Sequence, residues 1–346
     1  MNLENECLPI FYGHQSFHPR FGWLKKAFDA TIVDSLVFAR PDAPVTLGVG
    51  KNMVEAIRFW ATAYGVITRI DPEKYAGYTP TQFAHGMFSE NGLDPYLEDI
   101  SSLWILHWRS LSPKSSLPIW WIAFNDFQPL EFTEAELEGA VISTIEGSTF
   151  KTPSLMSIQR DIDCFLRMFS VKQGSKRSTW EDQLDSPFRQ LRLISPALGK
   201  ANAYRFKSPG VDSVPEVAVI VACLEFADRI LGGAKVISLS RLVLDAGSPG
   251  QVLRISQDEI VQAIDSYFGS DGEVKIASAA GALMLAIEGN PIQIAQQVLI
   301  SHHAIRGVRK RTRKSQAFFG PNSYLPSVEI MESSGLFAFA EGDTNG

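Results

Sequence analysis

A glycine-rich turn between two helical patterns is the feature that most constrains how this chain can fold. The turn is Leu47-Gly48-Val49-Gly50, and a longer pattern starts directly after it at Lys51. There, apolar residues recur three and four positions apart, which is typical of an amphipathic helix, at Met53, Val54, Ile57, Trp60, Ala61 and Tyr64. Gly65 supplies a stop signal. A short helix, a tight turn and a longer second helix predict a helix-turn-helix.

The flanking segments extend this motif to a winged helix. Before it, Trp23–Val33 places its apolar residues at helical spacing. After it, residues 66–69 and 75–78 flank Asp71-Pro72-Glu73-Lys74, which is typical of a β-hairpin. Thr79 then has the chemistry of an N-cap, and Pro80 that of a first helical residue. We therefore predict a winged helix-turn-helix that ends near residue 85.

The remainder of the chain is also predicted to be mainly α-helical. Helices are expected over 94–111, 118–127, 215–231 and, capped by Ser256, 256–268, and another starts near Thr133. A short amphipathic element is expected at 238–244, and further short elements at 283–286 and 292–301. A length of 346 residues favours two domains over one core. The polar segment 174–179 is the best linker candidate. We predict an N-terminal winged-helix domain with a helical extension over 1–173 and a mostly helical C-terminal domain over 180–330.

Charge and cysteine content narrow the functional classes. Cys7, Cys164 and Cys223 are odd in number and far apart, which favours reduced thiols in a cytoplasmic protein over disulfides or paired zinc ligands. No apolar run is long enough for a membrane span, and the start does not resemble a secretory signal, so we expect a soluble protein without a membrane partner.

A net charge of −6 means that any contact with DNA must be local. One acid-free run stands out near the C-terminus, at Arg306, Arg309, Lys310, Arg311, Arg313 and Lys314. This run is equally compatible with phosphate binding and with a solvated chain end.

The start of the second helix carries the residues best suited to reading DNA. In a helix-turn-helix the first residues of the recognition helix reach base edges, where Asn pairs with adenine and Lys or Arg with guanine. Lys51 and Asn52 occupy this place, and Lys25, Lys26 and Arg58 are the expected supporting contacts to double-stranded DNA. The alternative is a winged helix that only contacts protein, since the region has as many acids as bases.

The segment before the first helix collects groups that suit phosphodiester chemistry. His14 and His18 provide candidate acids or bases, and Arg20 provides a cation for charge that develops on a phosphate. Asp29 and Asp34 follow within a few helical turns and could hold a divalent ion such as Mg or Mn. A role as ordinary surface residues remains an open alternative for this group.

A second polar cluster could serve the same chemistry. Arg160, Asp161 and Asp163 lie together in sequence, and Glu181 and Asp182 follow later. Grouped carboxylates can position a metal-bound water, so Asp161 and Asp163 are further candidate metal ligands beside the candidate catalytic pair Arg160 and Asp161. The same residues would also suit a salt-bridged seam between domains. No phosphate-binding loop or Rossmann fingerprint, nucleophile elbow or zinc-protease motif occurs in the chain.

Several separate motifs, in order, resemble one known family. They are GHxSFxxRxGWLKK near the start, LGVGKNMVEAIRFW, DPYLED followed by LWILHW, EDxLDSP and DAGSPG. Together they are similar to the SspB family of bacteria, over a stretch from about Phe11 to about His303. That family is the DNA-nicking component of a single-strand phosphorothioation system, in which sulfur replaces a non-bridging phosphate oxygen.

The resemblance implies an endonuclease that cuts one DNA strand and so gives the sulfur machinery access. It also implies partners from the same system, namely a cysteine desulfurase, an ATPase subunit and a sulfur carrier. A non-catalytic DNA-binding adaptor that recruits these partners is the alternative. The resemblance assigns no catalytic role to a particular residue, and the oligomeric state, including a homodimer, stays open.

Overall fold

The computed structural model describes residues 3–71, 77–170, 186–197, 200, 202–210, 214–270, 272–279 and 281–314, with side chains as far as residue 305 except at 279. In this part of the chain the structure is mainly α-helical, with three small antiparallel sheets. The expectation of a mainly α fold is therefore confirmed. The predicted linker at 174–179 lies outside the described residues, and the division into two domains stays a prediction.

The first elements are short helices, a glycine turn, a longer helix and two antiparallel strands, and their assignment to a winged helix-turn-helix stays a prediction. They are α1 (Leu3–Glu6), α2 (Trp23–Val33), a 3-10 helix (Val37–Ala39), α3 (Ala43–Leu47), α4 (Lys51–Ala63), β1 (Ile67–Arg69), β2 (Tyr78–Pro80) and α5 (Gln82–Phe88). Gly48 ends α3 at φ 61°, and its N–H donates to the carbonyls of Pro44 and Val45. Glycine adopts this left-handed conformation without steric cost, which explains the tight turn before α4.

The start of α5 differs from the prediction. Thr79 and Pro80 are not a cap and a first helical residue but pair with Thr68 and Ile67 across the antiparallel strands β2 and β1. Thr81 is the N-cap instead, and its hydroxyl accepts the N–H of Ala84 at 3.1 Å. The prediction was wrong because the strand continues for two residues after Tyr78. Most of the predicted hairpin turn falls in residues 72–76, outside the described part.

The middle of the chain forms α6 (Ile100–Ser110), α7 (Pro118–Asn125), β3 (Glu131–Thr133), α8 (Glu134–Glu146) and α9 (Leu155–Phe169). The predicted helix start near Thr133 is confirmed, and the side chains of Thr133 and Glu136 form a reciprocal capping box there. Helix α6 starts six residues later than residue 94, where we expected it. The carboxylate of Asp94 accepts the N–H groups of Glu98 and Asp99, which holds this stretch as a turn.

The last described part forms a 3-10 helix (Pro187–Leu191), β4 (Ile194–Pro196), β5 (Ala203–Phe206), α10 (Glu216–Leu231), β6 (Val236–Ser238), α11 (Leu239–Leu244), α12 (Pro249–Val252), α13 (Gln257–Phe268), β7 (Val274–Ala279), β8 (Ala282–Ile287) and α14 (Pro291–Lys314). Ser256 caps α13 through a second capping box, as predicted. The short element expected at 283–286 is strand β8, and the one expected at 292–301 is the first part of α14.

The core runs through both halves of the chain. Buried apolar side chains form one continuous cluster that reaches from Leu3 to Leu299. Strand β5 pairs with β3 on one side and β4 on the other. Between α6 and α10, the indole N–H of Trp108 donates to Glu225 at 2.7 Å, and Arg109 forms an ion pair with the same carboxylate. Elements before residue 170 are thus tied to elements after residue 186.

The three cysteine thiols are free and buried. Burial raises the pKa of each thiol well above its ordinary value, so the thiolate form is disfavoured. No helix in the described ranges is long and apolar enough to cross a membrane.

Candidate functional site

The two polar clusters singled out in the sequence meet at one place. His14 lies in the loop before α2, and its Nε2 atom is 2.5 Å from Oδ1 of Asp161 on α9. The backbone N–H of Tyr12 donates to both carboxylate oxygens of Asp161, at 3.0 and 3.1 Å. The loop and α9, which lie about 150 residues apart in the sequence, therefore form a single candidate site.

The contacts of His14 fix the position of its proton. The backbone N–H of Ser16 donates to Nδ1 at 3.1 Å, so Nδ1 is an acceptor and the proton lies on Nε2, facing Asp161. The ring is stacked on Trp60 and meets Phe59 and Trp120 edge to face. His14 is only 1% exposed. Both nitrogens are engaged, which favours a role in positioning the loop over direct contact with DNA.

The loop that carries His14 has an unusual backbone. Tyr12, Gln15 and Ser16 have φ values of 58°, 52° and 65°, a region that residues with a side chain rarely adopt. A Cβ atom on Gly13 would lie 2.5 Å from the ring of Phe59, so any other residue there would force this ring to move. The loop is therefore held in a specific conformation against α4.

His18, four residues further on, has a different environment. It is 7% exposed, and neither of its ring nitrogens has a hydrogen-bond partner. Burial is the largest cause that lowers its pKa to about 3, and the nearby cations Arg189, Arg167 and Arg20 lower it further. His18 is therefore neutral at physiological pH.

The arginines near His18 are held in place by backbone and ring contacts. Arg167 on α9 donates to the carbonyl of Ser16 at 2.9 Å, and Arg189 donates to the carbonyl of Arg167 at 2.9 and 3.0 Å. The guanidinium of Arg20 lies over the ring of Trp23 at 5.7 Å. Sequence reasoning missed Arg167 and Arg189, because no local spacing relates either residue to the loop.

On the α9 side, the site also includes Arg160 and Asp163. The guanidinium of Arg160 lies 4.7 Å from the centre of the Tyr12 ring. Asp163 forms an ion pair with Arg167 at 2.8 Å, with both side chains partly exposed. Glu181 and Asp182, the other members of this predicted cluster, lie outside the described residues.

Asp29 and Asp34 lie elsewhere. Asp29 pairs with Lys25 on the exposed face of α2, and Asp34 at the end of that helix pairs with Arg40. The hydrogen bond from Arg40 is the main cause that holds the pKa of Asp34 below its ordinary value. Both aspartates line a surface groove that also contains Lys26 and contains neither His14 nor His18. The structure does not bring them to the loop.

The candidate metal ligands do not fit a divalent ion as they are arranged. Each of the four aspartates is engaged by protein donors: Asp29 by Lys25, Asp34 by Arg40, Asp161 by Tyr12 and His14, and Asp163 by Arg167. In the ranges that the structure describes, no three carboxylate, imidazole or thiol side chains come together as a set that could hold a metal.

The predicted DNA-reading residues divide into two groups. Lys51 and Asn52 are exposed at the start of α4. Arg58, in contrast, pairs with Glu55, and Lys26 donates to the carbonyl of Leu47 at 2.7 Å. Lys25 pairs with Asp29. Of the basic run near the C-terminus, the structure describes only the helical backbone of α14, and its side chains lie outside the described part.

Fold and site together define a mainly α-helical protein in which a loop with two buried histidines packs on the second half of α4, while the start of that helix is exposed. The family model described as "Protein of unknown function (DUF4007)" matches residues 11–303, and the chain belongs to this family.

Two solved structures are similar to this chain at 34% sequence identity, each over 87% of this chain and 90% of its own. They are described as "Magnesium ion-bound SspB crystal structure", with a TM-score of 0.79, and "SspB crystal structure", with a TM-score of 0.78. The resemblance to SspB is therefore confirmed. No curated protein matches the chain.

Proposed function

We propose that this protein is the DNA-nicking component of a phosphorothioate modification system and cuts one strand so that sulfur can enter the backbone. The observation that carries the proposal is the similarity to SspB, at 34% identity over 87% of the chain. The contacts of the site add support, because the loop with His14 and His18 is packed on the helix that would read DNA.

DNA is proposed to dock on the first elements as it does on a winged helix. The first residues of α4, where Lys51 and Asn52 are exposed, would enter the major groove. The β1–β2 hairpin would be the wing. Lys25, Lys26 and Arg58 are supporting phosphate contacts. They first have to leave the partners that engage them, so we expect smaller contributions from them.

The loop between α1 and α2 is the proposed place of strand cleavage. Breaking a phosphodiester needs an activated water, stabilisation of the developing charge and a proton for the leaving oxygen. His18 is neutral and therefore offers one nitrogen that can accept a proton and one that can donate. Arg20 and the α9 arginines supply positive charge, and the His14–Asp161 pair holds the loop that carries His18. We assign no step to Mg or Mn, because the described carboxylates do not form a site for either ion.

The remaining features of the proposal concern the setting of the reaction. The sulfur-transfer partners would be a cysteine desulfurase, an ATPase subunit and a sulfur carrier, and the reaction would take place in the cytoplasm. The domain division at 173–180 and a homodimeric state belong to the same set of proposals. Copurification of the tagged full-length chain with each sulfur-transfer partner tests the proposed partner set.

A nicking assay tests the proposed activity. Supercoiled plasmid is incubated with the purified protein and Mg or Mn, with an EDTA control and with His18→Ala, His14→Ala and Asp161→Ala variants. His85→Ala is the matched control, because His85 is exposed and lies on α5. We expect conversion to open circle by the wild type and by His85→Ala, and no conversion by His18→Ala despite retained DNA binding. Loss of nicking in EDTA would establish a metal requirement, with ligands other than the described carboxylates.

A non-catalytic adaptor is the second candidate. It is favoured by one specific observation, the lack of a metal-binding set among the described residues. This candidate predicts DNA binding and partner recruitment without nicking under any metal. Open-circle product that depends on His18 would exclude it.

A further inference from the structure

We propose that His18 and the guanidinium groups of Arg20, Arg167 and Arg189 form a binding site for one phosphate group of the DNA backbone. The site deepens the proposed function, on which it rests for the identity of its ligand. His18 is the buried polar residue of this site. The arginines come from three separate elements: Arg20 from the loop, Arg167 from α9 and Arg189 from the 3-10 helix at Pro187–Leu191.

The first argument is that the buried ring of His18 lacks hydrogen-bond partners. An imidazole that is 7% exposed with no partner for either nitrogen is unfavourable, since buried polar groups are nearly always hydrogen-bonded. Packing alone does not require histidine at this position. A ligand oxygen that accepts from the ring N–H would give the buried group the hydrogen bond that it lacks.

The charges around His18 are the second argument. The titratable groups that face it are Arg189, Arg167 and Arg20 and, with a smaller effect, His14, and a positive charge on any of them disfavours the protonated form of His18. Asp163 pairs with Arg167 from the solvent side. Three guanidinium groups beside one imidazole suit an oxyanion with several acceptor oxygens, because arginine binds phosphate through two parallel N–H groups.

Access to the site comes from the arginine side. The Arg167 side chain is 34% exposed, and Arg20 and Arg189 are also partly exposed, whereas His18 is buried. A phosphate can therefore reach the guanidinium groups from solvent, and in the proposed site it contacts the imidazole from their side.

Position favours a phosphate of bound DNA over a free anion. The carbonyl of Phe17, the residue before His18, accepts the indole N–H of Trp60 on α4 at 2.8 Å. Trp60 lies nine residues after Lys51 on α4, which corresponds to about 13 Å along the helix axis. A DNA duplex held by the exposed start of α4 is longer than this distance, so its backbone can extend as far as the loop that carries His18.

Nuclear magnetic resonance of the full-length protein labelled with ¹⁵N-histidine tests the site. The chain has six histidines, and the His18 signals are identified by their loss in His18→Gln and, independently, by backbone assignment. Between pH 4 and 8 the ring is compared in chloride, with inorganic phosphate and with a short DNA duplex. With a pKa near 3, the ring should stay neutral down to pH 4 in chloride. With the duplex we expect a rise of at least one unit, which brings the titration midpoint to pH 4 or above, since a bound anion favours the protonated ring.

Salt dependence of DNA binding supplies a second readout that does not depend on nicking. Arg189→Gln should lower the slope of log affinity against log salt by about one unit, the value for one phosphate that the protein no longer neutralises. Arg241→Gln is the matched control, because it removes an exposed arginine that pairs only locally with Asp245. An unchanged slope in Arg189→Gln, or an equal change in both variants, would contradict the proposal.

The outcomes separate this site from the proposed activity. A response of His18 to the duplex without any nicking keeps the phosphate site and overturns the nickase. A response to inorganic phosphate but not to the duplex identifies a site for a free anion and overturns the backbone assignment. Nicking without any response of His18 to either ligand overturns the site alone.

Discussion

Removing the carboxylate of Asp161 should destabilise the protein strongly. Asp161 is 3% exposed and accepts two buried or partly buried donors, the Tyr12 N–H and the His14 Nε2–H. In Asp161→Ala both donors lose their acceptor. At about 1–3 kcal/mol for each orphaned donor, the free energy of unfolding should fall by about 2–6 kcal/mol.

Asp163→Ala is the matched control on the same helix. Asp163 is 39% exposed in its ion pair with Arg167, and such partly exposed pairs contribute less than about 1 kcal/mol. Both variants remove one negative charge from α9, so only the burial of the carboxylate distinguishes them.

Guanidinium denaturation followed by tryptophan fluorescence measures the difference. Trp60 and Trp120 pack directly on His14 and report on the loop. Equal losses of stability in the two variants, or a loss below about 1 kcal/mol in Asp161→Ala, would refute the view that Asp161 holds the loop. Nicking by Asp161→Ala, assayed at a temperature where it is folded, should fall less than in His18→Ala.

Three further outcomes are expected. Lys51→Ala should weaken DNA binding and lower the salt slope by about one unit, whereas Asn52→Ala should mainly relax sequence preference, both measured by fluorescence anisotropy on matched duplexes. The pKa values of His18 and His107 are lowered to about 3 and about 4, below their unfolded value near 6.5, so the unfolded state takes up protons first as the pH falls. Stability should therefore be full above pH 6.5 and decrease by about 1.4 kcal/mol per pH unit for each of these histidines towards pH 5, and a flat profile would contradict this. Ser256→Ala should cost about 1 kcal/mol in thermal or chemical unfolding, because it removes the acceptor for the Glu259 N–H at the start of α13.

Local features of the fold could be predicted because local physics determines them. The periodicity from Met53 to Tyr64 and the turn at Gly48 indicated α3 and α4, and the capping residues Thr133 and Ser256 marked helix starts that the structure confirms. The error at the start of α6 came from Asp94, whose side chain bonds the following backbone and delays the helix. Hydrophobic spacing does not register such a side-chain contact.

The candidate site could be predicted only in its parts. His14, His18 and Asp161 were each singled out for their chemistry, but as members of two competing clusters. The sequence separation of 147 residues between His14 and Asp161 leaves no local pattern that would show their contact. The same holds for Arg189, which approaches His18 only because the 3-10 helix packs on α9. For Asp29 and Asp34, closeness in sequence to the loop suggested a closeness in space that the structure does not have.

The pairing of β3 with β5 has a consequence for synthesis on the ribosome. Phe132 pairs with Tyr204, and the Trp108 indole binds Glu225, so the first half of the chain emerges before its partners exist. At a translation rate of about 5–20 residues per second, strand β3 waits roughly 4–15 s for β5, and Trp108 waits longer. During this time an unpaired strand edge and an apolar helix face are open to other nascent chains. We therefore expect that slowing translation between residues 133 and 203 increases aggregation of the newly made protein, and that chaperone binding is concentrated in this interval.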